Sequence, residues 1–192
     1  MLDKNLPYWG VYMHRSAGTP VASVPLPEGF RFVTYSDGDE LDWSRIETSV
    51  LEFDSEFEAM MHFREKFIPF IHELRRRCLF IQNDSGDKIA TATAWWFYVN
   101  NERHPWLYWV AVKPDYQGLG LGKALISHVI EHMIRLEGDV DFYLHTQTWS
   151  YKAVGIYMRN GFRATREEAL YGNKRNNYNK AMKIINRQLH LR

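Results

Sequence analysis

Cysteine is nearly absent from this chain of 192 residues, in which Cys78 is the only one. A single cysteine excludes an internal disulfide and every zinc or iron–sulfur site that needs several cysteines. Its neighbours Leu79, Phe80 and Ile81 are apolar, which favours a buried thiol that packs as a small hydrophobic side chain over a reactive one. A chain of this length can bury about 70% of its unfolded surface, so it needs neither disulfides nor metal to stay folded.

An excess of charge of one sign and long apolar runs are also lacking. The 24 basic and 23 acidic side chains give a formal net charge of +1, so there is no general electrostatic attraction to nucleic acid or to an anionic membrane. No apolar run approaches the ~20 residues that span a bilayer, and residues 1–7 lack the charged and apolar blocks of a signal peptide. We therefore expect a cytoplasmic protein that binds neither nucleic acid nor membrane.

Apolar residues make up 45% of the chain and seven of them are Trp, a composition that excludes a disordered protein. The length corresponds to roughly one domain of about 150 residues. Closely spaced Pro20, Pro25 and Pro27 predict that residues 1–29 form an extended arm without regular structure. Residues 30–192 are predicted to form the single domain.

The spacing of apolar residues after position 29 predicts strands and helices in one α+β domain with a sheet of mixed direction. Ser55 and Glu58 have the spacing of a capping box at the start of a helix. The helix predicted before it carries Trp43 and Phe53 on one face and begins at an Asp42 cap. The predicted strands span residues 30–35, 78–82, 88–98, 106–112, 140–146, 163–165 and 178–184, and the later helices span residues 119–136 and 150–159.

The most informative segment is a glycine-rich loop between a strand and the long helix, Gln117-Gly118-Leu119-Gly120-Leu121-Gly122-Lys123. Backbone without Cβ atoms can approach a ligand closely, and amides at a helix N-terminus favour a phosphate or pyrophosphate. The loop is not a Walker loop, because Ala124 stands where that motif needs Ser or Thr. It is not a Rossmann loop either, because the glycines alternate as Gly-x-Gly-x-Gly.

The pattern that remains, Gln117 followed by Gly120 and Gly122, resembles the loop that holds the pyrophosphate of acetyl-CoA in the GNAT superfamily of N-acetyltransferases. Residues 146–162 resemble the second motif of that superfamily, which has the form Asn-x-x-Ala-x-x-x-Tyr and is closed by Gly-Phe. Ser150 stands where Asn is usual, and Ala153 and Tyr157 match the pattern. The resemblance implies a mixed, mainly antiparallel sheet flanked by helices, with the N-terminal arm as an addition.

The resemblance also implies an activity, which is the transfer of acetyl from acetyl-CoA to a primary amine by direct attack within a ternary complex. Tyr157 would act as the general acid that protonates the leaving thiolate, because a phenol is protonated at neutral pH. The strand that ends at Val112 would present backbone groups to pantetheine, with an amide near Val112 polarising the thioester carbonyl. The residues implied to bind acetyl-CoA are Val110, Val112, Gln117, Gly118, Leu119, Gly120, Leu121, Gly122, Lys123, Ser150 and Ala153.

The resemblance leaves alternatives for the acceptor, the oligomeric state, the function and the general base. The acceptor is a small-molecule or peptide amine without a diagnostic motif, and a homodimer is an open alternative to a monomer. No metal site is predicted, since His128 and His132 lack the intervening pattern of a zinc site. A CoA-binding sensor or interaction module without catalysis is the alternative function. The candidates for the general base are Tyr108, His145, Glu52, Asp54 and Glu56.

Overall fold

The computed structural model describes residues 2–166 and 176–191. Its strands are β1 (Gly10–Arg15), β2 (Phe30–Thr34), β3 (Cys78–Asn83), β4 (Lys88–Val99), β5 (Glu102–Val112), β6 (Phe142–Gln147) and β7 (Arg163–Ala164). Its α-helices are α1 (Glu40–Ser49), α2 (Glu56–Lys66), α3 (Ile71–Arg77), α4 (Leu121–Glu137), α5 (Tyr151–Arg159) and α6 (Tyr178–Gln188). The strands form one mixed, mainly antiparallel sheet in the order β2-β3-β4-β5-β6-β1-β7, which confirms the predicted fold class. Among the described residues, no helix has the length and apolar content to cross a membrane.

The chain divides into two compact units, and the first comprises residues 23–94 and 109–129. In this unit β3 pairs antiparallel with both β2 and β4. The turn between β3 and β4 is held by Asn83, whose side-chain oxygen accepts a hydrogen bond from the amide of Asp87 at 2.8 Å. The strands predicted at residues 78–82 and 88–98 are therefore confirmed, and they pair as a hairpin. Cys78 is fully buried beside Thr91, and burial raises the pKa of its thiol to about 12, as suits a core residue.

The sequence predicted the start of α2 correctly, whereas both ends of α1 differ from the prediction. The Ser55 hydroxyl accepts a hydrogen bond from the Glu58 amide at 3.1 Å, which confirms the predicted cap of α2. Helix α1 instead begins at Glu40 and ends at Ser49, so Asp42 lies inside its first turn and Phe53 lies beyond the helix. Leu51 has a φ of 72°, a backbone conformation that an α-helix cannot contain.

The second unit comprises residues 2–22, 95–108 and 130–192. Here β1 lies between β6 and β7 and pairs antiparallel with both, with Tyr12 opposite His145 and Met13 opposite Ala164. The prediction that the segment before residue 30 has no regular structure is therefore wrong for residues 10–15. The prolines that suggested it all lie after the strand, and Val11 and Met13 alternate into the core as strand residues do.

Two other predicted elements of the second unit need correction. Residues 178–184 belong to α6 instead of a strand, because Ala181, Met182 and Ile185 are the buried positions and their spacing fits a helical face. Strand β5 begins at Glu102, earlier than predicted, because the preceding turn needs only Asn100 and Asn101. Both asparagines have a positive φ, as in the tight turns that join antiparallel strands. The sequence also favours a polar loop at residues 172–177, before the last element, and residues 172–175 of it lie outside the described residues.

Helix α1 carries a buried acid that the sequence did not indicate. Glu47 is 1% exposed, and its Oε1 has no hydrogen-bond partner within the described structure. Burial, with a smaller contribution from Glu52, raises the pKa of the Glu47 carboxyl well above its ordinary value of 4.5. The folded protein therefore holds a proton on Glu47 that the unfolded chain releases above about pH 4.5.

We predict that Glu47→Gln raises stability at neutral pH and flattens its pH dependence. In the parent chain the free energy of unfolding falls as pH rises from about 4.5 toward the raised pKa of Glu47, because the unfolded state gains stability by losing its proton. The variant lacks this titration, so its advantage at pH 7 is on the order of 1–3 kcal/mol. Urea unfolding at pH 5 and pH 7 measures both effects. Glu28→Gln, at an exposed site, is the control, and an equal pH slope in parent and Glu47 variant contradicts the prediction.

Candidate active site

The glycine loop of the first unit leads directly into α4. Gly118 and Gly120 have φ values of 87° and 86°, a region in which a residue with a Cβ is strained. The amides of Lys123 and Ala124 donate to the Gly120 carbonyl and close the first turn of the helix. The amides of residues 118–122 donate to no protein group among the described residues. The loop thus offers a run of available amide donors at a helix N-terminus, which is the arrangement that binds phosphate.

The predicted cofactor residues around the loop are tied together through Gln117. Its side-chain amide donates to the Val112 carbonyl at 2.8 Å, so it fixes the loop to the end of β5. Gln117, Leu119 and Lys123 are exposed, and Leu121 is buried. Val110 and Val112 are half-buried near the end of β5. A Cβ atom built on Gly118 or Gly120 would have no neighbouring atom within 4 Å. The surface of the loop is therefore open, as binding of the predicted pyrophosphate requires.

The other predicted site residues belong to the second unit, where Ser150 immediately precedes α5. The Ser150 side chain does not cap the helix. Gln147 caps the short 3-10 turn, Thr148–Ser150, that leads into α5, since its Oε1 accepts from the Ser150 amide at 3.0 Å and its Nε2 donates to the Ser150 hydroxyl at 3.1 Å. Ala153 is half-buried in the first turn of α5. The sequence therefore predicted the start of α5 within one residue, but the expectation that the Ser150 side chain caps this helix is wrong, and the contact of Gln147 with Ser150 was not indicated.

Tyr157 lies on the buried face of α5. Its side chain is 6% exposed, and its ring packs edge-on against Phe162 at a centroid distance of 6.1 Å. The turn after the helix brings Phe162 back, because Gly161 has a φ of 86° and the Phe162 amide donates to the Tyr157 carbonyl. The Gly-Phe pair that closes the motif thus places the Phe162 ring against the Tyr157 ring.

The residues considered as general bases are spread over both units. Glu52, Asp54 and Glu56 are exposed in the first unit, and Glu56 approaches the Arg45 guanidinium at 3.6 Å. Tyr108 and His145 are half-buried in the second unit, where the His145 ring packs against Tyr12 at 4.7 Å. The described residues contain no group of three or more His, Cys, Asp and Glu side chains that could hold a metal. His128 instead stacks on Phe32 at 3.9 Å.

The first unit also contains an aromatic cluster that sequence reasoning did not identify. We use this name for Trp43, Phe53, His62 and Trp109. The Trp109 ring lies 5.2 Å from Phe53, 5.1 Å from His62 and 5.3 Å from Trp43. Trp109 has a φ of 45° within β5, an outlier for a bulky residue, which costs of order 1–3 kcal/mol unless the surroundings hold it. The available signal was the density of aromatic residues, among them Trp109, which fits an apolar acceptor pocket as well as a core or a partner surface.

A cleft of about 590 Å³ opens beside the aromatic cluster. Phe53 and His62 belong to both the cluster and the cleft wall. Trp43 is fully buried, whereas Phe53, His62 and Trp109 are half-buried. The residues that line the cleft are Phe53, Glu58, Met61, His62, Arg64 and Glu65.

The sheet, the glycine loop at the start of α4 and the Tyr157 helix with its Gly-Phe closure together characterise one class of protein. The chain belongs to the acetyltransferase (GNAT) family, whose model matches residues 41–162. This match confirms the resemblance on which the sequence analysis relied. The match includes the glycine loop, the segment between α1 and α2, and Tyr157.

Individual relatives share only a low sequence identity with this chain. The chain is 27% identical over 156 residues to a mycothiol acetyltransferase of Beutenbergia cavernae, a match that covers 78% of this chain and 50% of the relative. Similar solved structures include a GCN5-related N-acetyltransferase from Sphaerobacter thermophilus, with a TM-score of 0.64, 21% identity and coverage of 81% of this chain and 48% of that one. A tandem GNAT protein from the clavulanic acid biosynthesis pathway gives a TM-score of 0.58 at 16% identity, covering 85% and 52%. The chain spans about half the length of these relatives, and the structural matches establish the fold alone.

We predict that Gly120→Ala weakens the binding of CoA at least tenfold. A Cβ at a φ of 86° strains the loop, and the loop relieves that strain by turning its amides away from a bound phosphate. Calorimetry with CoA measures the dissociation constant.

Gly138→Ala is the matched control for this substitution. Gly138 has a φ of 81° with open space around it, as at Gly120, but it lies just beyond the opposite end of α4. Both variants lose similar stability, and only Gly120→Ala loses CoA affinity. Equal affinity of the two variants for CoA contradicts the assignment of the loop.

Proposed function

We propose that this chain is an N-acetyltransferase that transfers acetyl from acetyl-CoA to a primary amine by direct attack in a ternary complex. The observation that carries the proposal is the run of available amides at residues 118–122, at the start of α4 in a chain of the GNAT family. A diphosphate is the ligand that such a run binds best, because several N–H dipoles converge on it at the positive end of a helix. In this proposal residues 117–123 hold the pyrophosphate of acetyl-CoA.

The chemical step moves one acyl group and two protons. The neutral amine nitrogen attacks the thioester carbonyl carbon, the new N–C bond forms, and the C–S bond breaks with its electron pair going to sulfur. The amine gives up one proton to a base, and the thiolate takes up one proton from an acid. Backbone amides of β5 near Val112 would stabilise the negative charge that develops on the carbonyl oxygen. Val110 and Val112 are the residues we assign to this role.

Tyr157 is the acid in this scheme. A phenol is protonated at neutral pH and can transfer its proton to a thiolate as the charge develops. The support is its position within the matched family model and its burial against Phe162. Ser150 and Ala153, at the start of the same helix, are assigned to cofactor binding.

We predict that Tyr157→Phe lowers turnover at least tenfold and leaves the affinity for CoA nearly unchanged. The substitution keeps the ring that packs on Phe162 and removes only the hydroxyl that donates the proton. Steady-state kinetics with an amine panel measure turnover, and calorimetry measures CoA binding. Tyr151→Phe, on the first turn of the same helix, is the control and retains turnover. Unchanged turnover in the Tyr157 variant removes this residue from the mechanism.

We predict that CoA stabilises the protein against heat, whereas ATP or GTP with magnesium does not. A ligand at 100 times its dissociation constant adds about 2.7 kcal/mol to the free energy of unfolding. A thermal-shift series followed by a thiol-release assay across amine classes tests binding and catalysis separately. Binding of CoA without acetylation of any amine favours the alternative of a CoA-binding sensor. Absence of CoA binding overturns the proposal.

A further inference from the structure

The segment that precedes β1 lies against the short turn that leads into α5. We call residues 3–9 the N-terminal strap, and the turn is Thr148–Ser150. The Asp3 amide donates a hydrogen bond to the Trp149 carbonyl at 3.0 Å. The Tyr8 ring packs edge-on against the Trp149 ring at a centroid distance of 4.9 Å. The strap and the turn both belong to the second unit, although they lie at opposite ends of the sequence.

Four further hydrogen bonds join the turn to the strap. The Thr148 amide donates to the Trp9 carbonyl at 3.1 Å. The Thr148 hydroxyl accepts from the Trp9 amide at 3.1 Å and donates to the Pro7 carbonyl. The Trp149 Nε1 donates to the Leu6 carbonyl at 2.6 Å. Because Thr148 is fully buried, removal of its hydroxyl leaves the strap groups that it binds without a replacement partner.

The position of this turn determines where α5 begins. The Tyr151 amide, at the first residue of the helix, donates to the Thr148 carbonyl. Ser150 is the last residue of the turn, and Ala153 lies in the first turn of the helix that follows. Both residues are assigned to the binding of acetyl-CoA. A shift of the turn therefore moves the two cofactor residues together, because a helix propagates the position of its first turn.

The chain that follows the strap also holds the other end of α5. Arg15 is fully buried at the end of β1, and its Nε donates to the carbonyl of Asn160, the C-cap residue of α5, at 3.1 Å. A cation at this end of a helix is favoured by the helix dipole. A Cβ added to Gly161 would lie 2.3 Å from Cγ2 of Thr19, so the loop after β1 packs closely on the turn after α5. The N-terminal region thus contacts both ends of the helix that carries Tyr157.

We propose that the N-terminal strap positions the start of α5 for the binding of acetyl-CoA, and that Thr148 is the positioning residue that joins the two. Thr148 acts through Ser150 and Ala153. The strap lies outside residues 41–162, which the family model matches, so it is an addition of this chain to the matched region. This inference rests on the proposed binding of acetyl-CoA and specifies what holds part of its site in place.

The expected effect of losing the strap follows from the populations of the turn. A turn held by five hydrogen bonds presents the start of α5 in one arrangement before the cofactor arrives, which lowers the ordering cost of binding. A turn that adopts this arrangement for only one-tenth of the time weakens the apparent affinity about tenfold. Once acetyl-CoA is bound the arrangement is restored, so KM for acetyl-CoA rises while kcat changes little.

The first test uses Thr148→Val in the full chain, which keeps the shape of the side chain and removes the hydroxyl. We expect calorimetry to show CoA binding weakened at least fivefold, whereas Thr148→Ser, which retains the hydroxyl, restores the parent affinity. With an amine that the parent chain acetylates, Thr148→Val raises KM for acetyl-CoA and leaves kcat within about twofold. Unchanged CoA affinity in Thr148→Val, or a lowered kcat with unchanged KM, overturns the proposal.

Thr146→Val is the matched control for the loss of the hydroxyl. Thr146 is also buried, two residues earlier in β6, and within the described residues its hydroxyl makes no hydrogen bond to the strap. The control variant keeps the parent affinity for CoA even where its stability changes. A loss of CoA affinity equal to that of Thr148→Val shows that any buried change nearby has this effect and contradicts the role of Thr148.

A double-mutant cycle tests whether Thr148 acts through the strap. Pro7→Gly with Tyr8→Gly loosens the strap in the full chain, because both side chains are exposed, glycine gives the free strap more conformational freedom, and the contact with Trp149 is lost. We expect this chain to bind CoA more weakly than Pro25→Gly, a loosened exposed site outside the strap. Thr148→Val then costs less in the loosened chain than in the parent, since coupled changes are not additive. An equal cost in both chains shows that Thr148 acts without the strap and overturns the proposal.

The two proposals fail in different ways. Absence of CoA binding by the parent chain overturns the acetyltransferase proposal and, with it, the role of the strap. Binding of CoA by the parent chain with the same affinity in Thr148→Val overturns the role of the strap alone and leaves the acetyltransferase proposal standing.

Discussion

Available backbone amides at the start of α4 are the feature on which the proposed chemistry depends. A folded chain normally pairs its buried backbone amides in hydrogen bonds. An α-helix, however, leaves the amides of its first turn without partners inside the helix. In this protein Gly118 and Gly120 extend that unpaired set backwards along the loop, since both adopt a φ that other residues reach only with strain. Gln117 then anchors the loop to the Val112 carbonyl. The loop is therefore arranged before any ligand arrives, which lowers the ordering cost of binding.

The aromatic cluster imposes a second constraint on the first unit. A tryptophan with a φ of 45° persists only when its surroundings hold it, and Trp109 is held by rings on three sides. The same contacts that retain the strained backbone also form the wall of the cleft. The backbone strain at Trp109 and the shape of the cleft are thus coupled, because loosening Phe53 would free Trp109 and would also alter the cavity.

The local signals in the sequence predicted much of this fold because they are short in range. Ser55 caps α2, and Asn83 begins a tight turn, through contacts within four residues. The strand at residues 10–15 was missed because its partners, β6 and β7, follow it by more than a hundred residues. The glycine loop could be predicted because its residues form a short motif. The aromatic cluster could not, because Phe53 and Trp109, which are in contact, lie 56 positions apart in the sequence. Sequence periodicity carries no information about such long-range contacts.

Costs to stability fall on α1 and β5 in the first unit and on further positions in the second unit. Trp43 Nε1 and Glu47 Oε1, one helical turn apart on α1, are buried without hydrogen-bond partners among the described residues, and Trp109 of β5 carries backbone strain. Each is unfavourable by itself. Elsewhere in the first unit, local preferences and observed structure agree, as in the cap of α2 and the turn after β3. Sequences depart from such agreement mainly where function requires it, so Glu47 and Trp109 are the departures in the first unit for which we expect a functional reason.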